Sequence, residues 1–409
     1  MPRNGFDVER VRRDFPILER SLRGQPLAYL DNAATAQKPR VVIDAVADFY
    51  RTRNANVHRA VYALAEKATA AYEQARSRVA DFLGAADPRQ IVFVRGTTEA
   101  INLVAQSFAR PRLKPGDEIL ISHMEHHSNI VPWQLCCQQT GAVLRVAPIN
   151  DRGEIDVEAF ERLLGPRTRM VALAHVSNAL GTINPVETLI PMAHAHGAPV
   201  LLDGAQAAPH LAIDVRALGC NFYTLSGHKL YGPTGIGALF GTAERLESME
   251  PYQGGGEMIA SVSFEHTTYA DVPYRFEAGT PNIAGAVGLG RAIEYLGGLD
   301  REGARTHEDS LLEYASKALG ELHGIRIIGR AEQKTAVLSF VVEGVHPHDV
   351  STILDQQGVA VRAGHHCAEP VMKRFGILGT TRASFGIYNT RPEVDRLMAG
   401  LEQVREIFG

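Results

Sequence analysis

The sequence predicts an α/β protein with a large, mostly parallel-sheet domain followed by a small α+β domain. Three observations predict it. Through the first two thirds of the chain, short apolar runs of strand length alternate with segments whose apolar residues recur at helical spacing. Several of these runs close on a polar or glycine-containing turn, the position at which a parallel sheet presents its ligand site. Further on, the order becomes strand, strand, helix, strand, strand, helix, which reads as a separate antiparallel sheet with its helices. At 409 residues the chain is too long for one simple core, so two domains are expected.

Composition narrows the function classes. Apolar residues make up 45% and charged residues 22% of the chain, an ordinary balance for a soluble globular protein. Lys and Arg number 42 against 46 Asp and Glu, a net charge of −4, which argues against bulk nucleic-acid binding. No apolar run approaches the length of a membrane span, and the start, Met-Pro-Arg-Asn-Gly-Phe-Asp-Val-Glu-Arg, lacks the apolar core of a signal peptide. Four cysteines without a CxxC pair point to a reducing cytoplasm, so Cys136, Cys137, Cys220 and Cys367 are expected as thiols. Neither HExxH nor a Walker A pattern occurs, and His194 and His196 fall on different sides of their helix, so no metal site is expected.

In chain order, residues 7–23 read as a short charged helix and a loop, and 28–30 as a short strand. Asp31-Asn32-Ala33-Ala34-Thr35 is then a small-residue turn; it allows close approach of a ligand, and such residues are also ordinary turn formers. A helix after Pro39 carries Val42, Val46, Phe49 and Tyr50 as apolar positions. After the polar loop Asn56-Val57-His58-Arg59, a long helix places Leu64, Ala68, Tyr72, Ala75, Val79 and Phe82 at helical spacing and stops at Gly84. Strand 91–94 passes through Arg95-Gly96-Thr97-Thr98-Glu99 into a helix. Thr97 or Thr98 would serve there as an N-cap, or, beside Gly96, as a phosphate holder at unpaired N–H groups.

Strand 118–122 is closed by His123-Met124-Glu125-His126-His127-Ser128-Asn129. A histidine at such a strand end can stack on a cofactor ring and move protons near neutral pH; the other reading is a surface pair. The next helix carries Ile130, Trp133, Leu135 and the vicinal Cys136 and Cys137, read as packing residues. Strands at 142–147 and 169–176 continue the series, the second running into a polar turn where Asn178 is placed to donate to a ligand oxygen.

Two further buried strands, 199–202 and 222–225, frame the chemistry. Asp203 closes the first, and Ser226-Gly227-His228-Lys229 follows the second, so Asp203 and Lys229 should meet beyond the strand ends. Pyridoxal phosphate chemistry needs such a pair: an amine that forms a Schiff base, and a carboxylate that keeps the ring nitrogen protonated. An ordinary salt bridge is the other reading. After strand 236–240, residues 253–280 form a long irregular stretch of the kind found at functional sites or interfaces. Helices resume at Ile283 and cover 299–324. Strands 325–328 and 336–342, a helix 347–357, strands 359–362 and 382–387, and a final helix from Pro392 complete the chain. Between the last strands lies Arg362-Ala363-Gly364-His365-His366-Cys367-Ala368-Glu369-Pro370. Cys367 there is either a nucleophile or an incidental loop thiol.

Taken together, these stretches resemble the class V branch of the fold-type I PLP-dependent transferases, and within it the type II cysteine desulfurases of the SufS kind, a group that includes selenocysteine lyase-like members. The resemblance spans residues 8–407. It rests most on Tyr29-Leu30-Asp31-Asn32-Ala33-Ala34, Arg95-Gly96-Thr97-Thr98-Glu99, Glu125-His126-His127-Ser128-Asn129-Ile130-Val131-Pro132-Trp133, Ser226-Gly227-His228-Lys229 and Arg362-Ala363-Gly364-His365-His366-Cys367-Ala368. It implies a large domain of residues 26–295 with a β-hairpin insertion over 253–280, and a small domain of 1–25 plus 296–409. It implies Lys229 as the Schiff-base lysine, Asp203 as partner of the pyridine nitrogen, His126 stacked on the ring, and Gln206 and Asn178 at the ring hydroxyl. Thr97, Thr98, Ser226 and His228 would hold the cofactor phosphate, and Thr280 that of the other subunit of a homodimer. Arg382 would grip the substrate carboxylate, with Asn178, Ala34, His58 and Arg362 also at the substrate. Cys367 would carry a persulfide.

The implied activity is conversion of L-cysteine to L-alanine, with sulfur passed to iron–sulfur cluster assembly. Selenocysteine lysis, or another class V aminotransferase or lyase reaction without sulfur transfer, is the alternative. The implied partner is a sulfur-acceptor protein, SufU-like, with its zinc met by His348, or SufE-like.

Overall fold

Parallel strands covered on both faces need unbroken apolar runs rather than alternating ones, and the main sheet has them. In this computed structural model, which describes residues 6–408, seven strands form that sheet: β1 Ile91–Val94, β2 Glu118–Ser122, β3 Val143–Ala147, β4 Thr168–Ala174, β5 Val200–Asp203, β6 Phe222–Ser226 and β7 Gly237–Gly241. Their spatial order is β1-β7-β6-β5-β4-β2-β3. Every pairing is parallel except those of β7, which runs against both β1 and β6. All residues of β1, β2, β5, β6 and β7 are buried, whereas β3 lies at the edge and is exposed or half-buried until Ala147. Residues 1–5 and 409, which include the first part of the stretch read against a signal peptide and the two ends of the expected small domain, lie outside the described residues.

A second sheet follows: β8 Ile325–Ile328, β9 Val337–Val342, β10 Arg362–Gly364 and β11 Thr380–Ser384, in the order β8-β9-β11-β10 and wholly antiparallel. It shares a core of its own, with Phe340, Leu354, Phe385 and Leu397, with the helices Arg301–Glu321, Pro347–Gln356 and Arg391–Phe408. The irregular stretch contains the expected hairpin, Ile259–Val262 paired with Thr267–Tyr269.

Several expectations change. The run 359–362 is two strands, because Val359–Ala360 pairs in parallel with Ala28–Tyr29 while Arg362–Gly364 turns to join β11. Tyr50 is 61% exposed instead of packed: the helix Arg40–Asp48 widens into a π-turn over Phe49–Arg53, which breaks the 3.6-residue spacing. Leu64 and Leu135 also point outward. The short helices Val157–Leu163 and Glu369–Arg374 were not anticipated; each is too brief to show a periodic stripe.

One buried charge cluster anchors the irregular stretch to the main sheet. Arg76, 1% exposed, pairs with Glu277 at 2.6 Å, donates to the Ile91 carbonyl at 2.9 Å, and lies over the rings of Tyr72, Phe93 and Tyr274. Glu277 also takes the Tyr72 hydroxyl and the Phe93 N–H. Arg76→Met keeps the bulk but strands a buried carboxylate. It should lower unfolding stability by about 3–5 kcal/mol in a urea titration; a loss below about 1 kcal/mol would show the pair to be dispensable.

Candidate active site

The carboxyl ends of β2, β4, β5 and β6 converge on one cavity of about 260 Å³. Each end delivers a polar group there: His126 after β2, Asn178 after β4, Asp203 and Gln206 at β5, and Ser226, His228 and Lys229 at β6. The turn after Ala28–Tyr29 adds Ala33 and Ala34, the helix after β1 adds Thr97 and Thr98, and the small sheet adds Arg362, Cys367 and Arg382. Two predicted residues lie elsewhere. His58 is exposed, 2.9 Å from Glu73, beside Arg59, Glu257 and Tyr274, and Thr280 lines a neighbouring hollow with Tyr72 and Glu277.

The local folding of each segment is explicit. Gly96 is the N-cap of the helix Thr97–Leu103, so neither threonine caps it. The Thr97 N–H donates to Ser226 Oγ at 3.0 Å, which ties the helix start to the end of β6. β7 can pass this turn only as Gly237, because a Cβ there would lie 2.6 Å from the Gly96 Cα. The His126 turn is braced from behind by Glu125, which takes the Ser122 hydroxyl, the Asn129 amide and the Ala174 N–H. Burial pushes the Glu125 carboxyl up to about 7.

His126 Nδ1 accepts the Ser128 N–H at 3.0 Å, so the ring proton sits on Nε2. Burial, reinforced by Lys229, lowers its pKa to about 3, so the ring is neutral. Burial also lowers Lys229 to about 8, against the pull of Asp203. Asp203 is raised by burial; it takes the Ala205 N–H at 3.0 Å, and Lys229 acts on it only through space, not as a bonded ion pair. The salt-bridge reading of this pair therefore gives way to two groups facing a common cavity.

The histidine pair divides its work. His126 faces the cavity, while His127 holds the cysteine loop: its N–H donates to the Cys367 carbonyl at 2.7 Å and its Nε2 accepts the Glu369 N–H at 3.1 Å. Asn178 grips the same loop, donating to the His366 carbonyl at 2.7 Å. His366 and Cys367 both have φ 54°, a left-handed pair of non-glycine residues that the surrounding contacts must maintain. Cys367 is exposed. His366 and Asp31 were not singled out by sequence. Both lie inside the quoted motifs, yet nothing in spacing separates them from their neighbours.

Burial holds four histidines well below the ordinary value: His126 at about 3, His175 and His228 at about 4, and His366 at about 2. Unfolded, each would bind a proton near pH 6.5. Between about pH 6.5 and 4 the unfolded chain thus holds more protons than the folded one, and stability falls as pH falls. Glu125 and Asp203, whose folded pKa values are raised by burial, work in the opposite sense but are two groups against four. The melting temperature of the cofactor-free protein should drop steadily from pH 6.5 to 4.5; a flat or rising profile would contradict these assignments.

The chemistry of the donors fits pyridoxal phosphate. A buried acid, Asp203, has a single backbone donor, Gln206 Oε1 is buried without a partner, and a buried amine faces both. The hydroxyl cluster of Thr97, Thr98 and Ser226 continues into an adjoining open hollow.

The aminotransferase class-V family model matches residues 28–397, and the chain belongs to that family, whose typical cofactor is pyridoxal 5′-phosphate. Within it the chain is similar to proteins named as cysteine desulfurases. It is 51% identical over 409 residues to the cysteine desulfurase of Dickeya dadantii, covering 100% of this chain and 99% of that protein. It is 54% identical to the probable cysteine desulfurase of Mycolicibacterium paratuberculosis over 98% of this chain, but spans only 58% of that longer relative. In structure it superposes on the cysteine desulfurase CsdA of Escherichia coli with a TM-score of 0.93 and 45% identity, covering 99% of this chain and 100% of that one. The corresponding enzyme of Thermococcus onnurineus gives 0.92 at 40% identity, covering 97% of each.

Proposed function

We propose that the chain converts L-cysteine to L-alanine and leaves the sulfur as a persulfide on Cys367. The observation that carries this reading is an exposed thiol lining the same cavity as a buried lysine amine and a buried arginine. Bound there, pyridoxal phosphate supplies an electron sink for the substrate's Cα. Lys229 would hold it through Nζ, with Asp203 at the ring nitrogen, His126 on the ring face, Gln206 and Asn178 at the ring hydroxyl, and Thr97, Thr98, Ser226 and His228 at the phosphate.

Arg382 receives the substrate carboxylate through its guanidinium, with Ala34, Asn178 and Arg362 lining the remainder of that subsite. Lys229 Nζ, lowered to about 8 by burial, is available as a base for the Cα proton. The Cys367 thiolate attacks the substrate sulfur; an S–S bond forms, the C–S bond breaks, and its electron pair passes to carbon, where Cβ gains a proton. His126, neutral with its proton on Nε2, would offer that N–H to the substrate as a hydrogen-bond donor rather than carry the proton itself, which corrects the expectation of a proton carrier. Incubating the protein with pyridoxal phosphate and L-cysteine should yield alanine; its absence overturns the reading.

Further parts of the proposal rest on placement. His58 and Thr280 face hollows outside their own chain's cavity, which supports a homodimer in which they serve the partner's site. The separate core of the second sheet supports a small domain within 296–409, but the boundary of 1–25 and 26–295 is not supported, because Val11, Phe15 and Leu18 pack in the large core while Ala28 and Leu30 pack in the small one. Among the described residues no helix is long and apolar enough to cross a membrane, and cytoplasmic work supplying sulfur to iron–sulfur cluster assembly is the role we infer. His348 is exposed at the start of the helix Pro347–Gln356, its ring stacked on His346 at 5.2 Å. It can offer an imidazole to the zinc of a SufU-like acceptor; a SufE-like acceptor would not need it. His348→Ala should lose most of the stimulation by a zinc acceptor, roughly tenfold, and keep basal alanine release. Unchanged stimulation removes this role.

A further inference from the structure

Beside the cavity runs a chain of buried polar groups that the proposed reaction does not use. The segment after β5 coils tightly: the Ala208 N–H donates to the Gly204 carbonyl at 2.9 Å, and the Leu211 N–H to that of Ala207 at 2.8 Å. The coil brings Gln206 and His210, four positions apart, onto one side. Gln206 lines the cavity; His210 does not, and both are buried. His210 Nδ1 meets Glu308 Oε2 at 2.8 Å. Glu308 belongs to the helix Arg301–Glu321, which also packs the second sheet. A carboxylate accepts, so Nδ1 carries the proton and Nε2 keeps a lone pair. Across a long contact of 3.4 Å, that lone pair takes an N–H of the Gln206 amide. The Gln206 oxygen is then the end left without a protein partner among the described residues.

The histidine–glutamate pair is a costly way to fill this space. Glu308 is 2% exposed and its Oε1 has no partner. The cations nearby are engaged elsewhere: Arg305 by Asp309 at 2.8 Å, and Arg301 by the Leu211 carbonyl at 2.9 Å. Tyr231, also close, accepts the Ile387 N–H at 3.3 Å. A buried polar pair of this kind adds little stability over an apolar filling of the same shape. What it supplies is direction. A glutamine amide turned over exchanges a donor for an acceptor. With the proton of His210 held on Nδ1, turning Gln206 over would set its oxygen against the Nε2 lone pair, so one orientation is held.

We propose that His210, oriented by Glu308, is a positioning residue for the cofactor: it fixes the Gln206 amide and so the hydrogen bond that Gln206 makes to the oxygen on the cofactor ring. The inference rests on the reading that Gln206 meets the ring hydroxyl. That oxygen is conjugated with the ring, so a bond to it tunes the electron sink as well as seating the cofactor. His210 and Glu308 act on it without touching it.

The test is a double-mutant cycle with two readouts: the pH midpoint of the visible absorption of the cofactor-loaded enzyme, and the affinity of the cofactor-free protein for pyridoxal phosphate. Gln206→Leu and His210→Leu should each move the midpoint by about half a unit or more, in the same direction. Each should weaken pyridoxal phosphate about threefold to tenfold. The double variant should do no worse than Gln206→Leu alone, because His210 acts through Gln206. Glu308→Gln, which releases the His210 ring proton from Nδ1, should move the midpoint in that same direction. If the effects of His210→Leu and Gln206→Leu simply add, or His210→Leu lowers the melting temperature without moving the midpoint, His210 is a structural brace and the proposal falls. Should His210→Leu fail to fold, Glu308→Gln decides: an unchanged midpoint overturns the proposal. Gln206→Leu with both readouts unchanged would instead overturn the ring-hydroxyl reading, and the proposal with it.

Discussion

Replacing Lys229 by alanine should abolish turnover of every amino acid, with a loss of more than about 10⁴-fold in alanine release. The residue stands at the end of β6 with its amine enclosed by protein and lowered to about 8 by burial. In the proposed reaction that one nitrogen does two things: hold the cofactor covalently, and accept the Cα proton. Both need a neutral amine, which burial favours and the nearby Asp203 opposes. No other group in the cavity can replace it. His126 is held neutral with its proton on the nitrogen away from Ser128, and at a pKa of about 3 it is far too weak a base. The variant should still fold, and its cofactor should be removable by gel filtration without reduction. Residual desulfuration within about 100-fold of the parent would show that Lys229 is not the base.

Cys367→Ser should separate the two halves of the reaction. The substitution leaves Lys229, Asp203 and Arg382 untouched, so cofactor binding and its visible absorption should be unchanged, and L-cysteine should still perturb that absorption. Sulfur release should fall by about 10³-fold or more, because a hydroxyl is a far weaker sulfur-directed nucleophile than a thiolate. Selenocysteine is expected to behave differently: the C–Se bond is weaker and selenide leaves more easily, so measurable lysis should persist without the thiol. The loop geometry supports this separation. The loop is held through its carbonyls, that of Cys367 by the His127 N–H and that of His366 by the Asn178 side-chain amide, rather than by the Cys367 sulfur, so serine can occupy the same strained position. Normal desulfuration by Cys367→Ser would remove the persulfide step and favour a plain lyase.

How much of this was legible in the chain can be judged element by element. Strands such as Ile-Val-Phe-Val and Val-Leu-Leu-Asp announced themselves because burial on both faces demands continuous apolar runs, and their polar ends marked where ligand groups would gather. The glycine turn into Thr97 and the pairing in sequence of Asp203 with Lys229 were visible for the same reason: residue types with special backbone or proton chemistry stood at strand ends. Local signals failed where geometry depends on a partner. Tyr50 turned outward because a π-turn interrupts its helix, and the run 359–362 split because two different strands competed for it.

By itself, then, the sequence determined the strand series, the lysine–aspartate pair, the phosphate-like turn and the cysteine loop, since each is written in a few contiguous residues. Tertiary structure alone decided the rest. It sent His126 into the cavity and His127 to the loop, and it turned the Asn178 amide onto the His366 carbonyl. It also set Arg362 opposite Arg382 with Asp31 between their charges. Most of these contacts join segments well over a hundred positions apart. A single sequence carries no record of the register that aligns two strands or of the charge left unpaired when they meet; only the folded chain, which must neutralise every buried cation, supplies it.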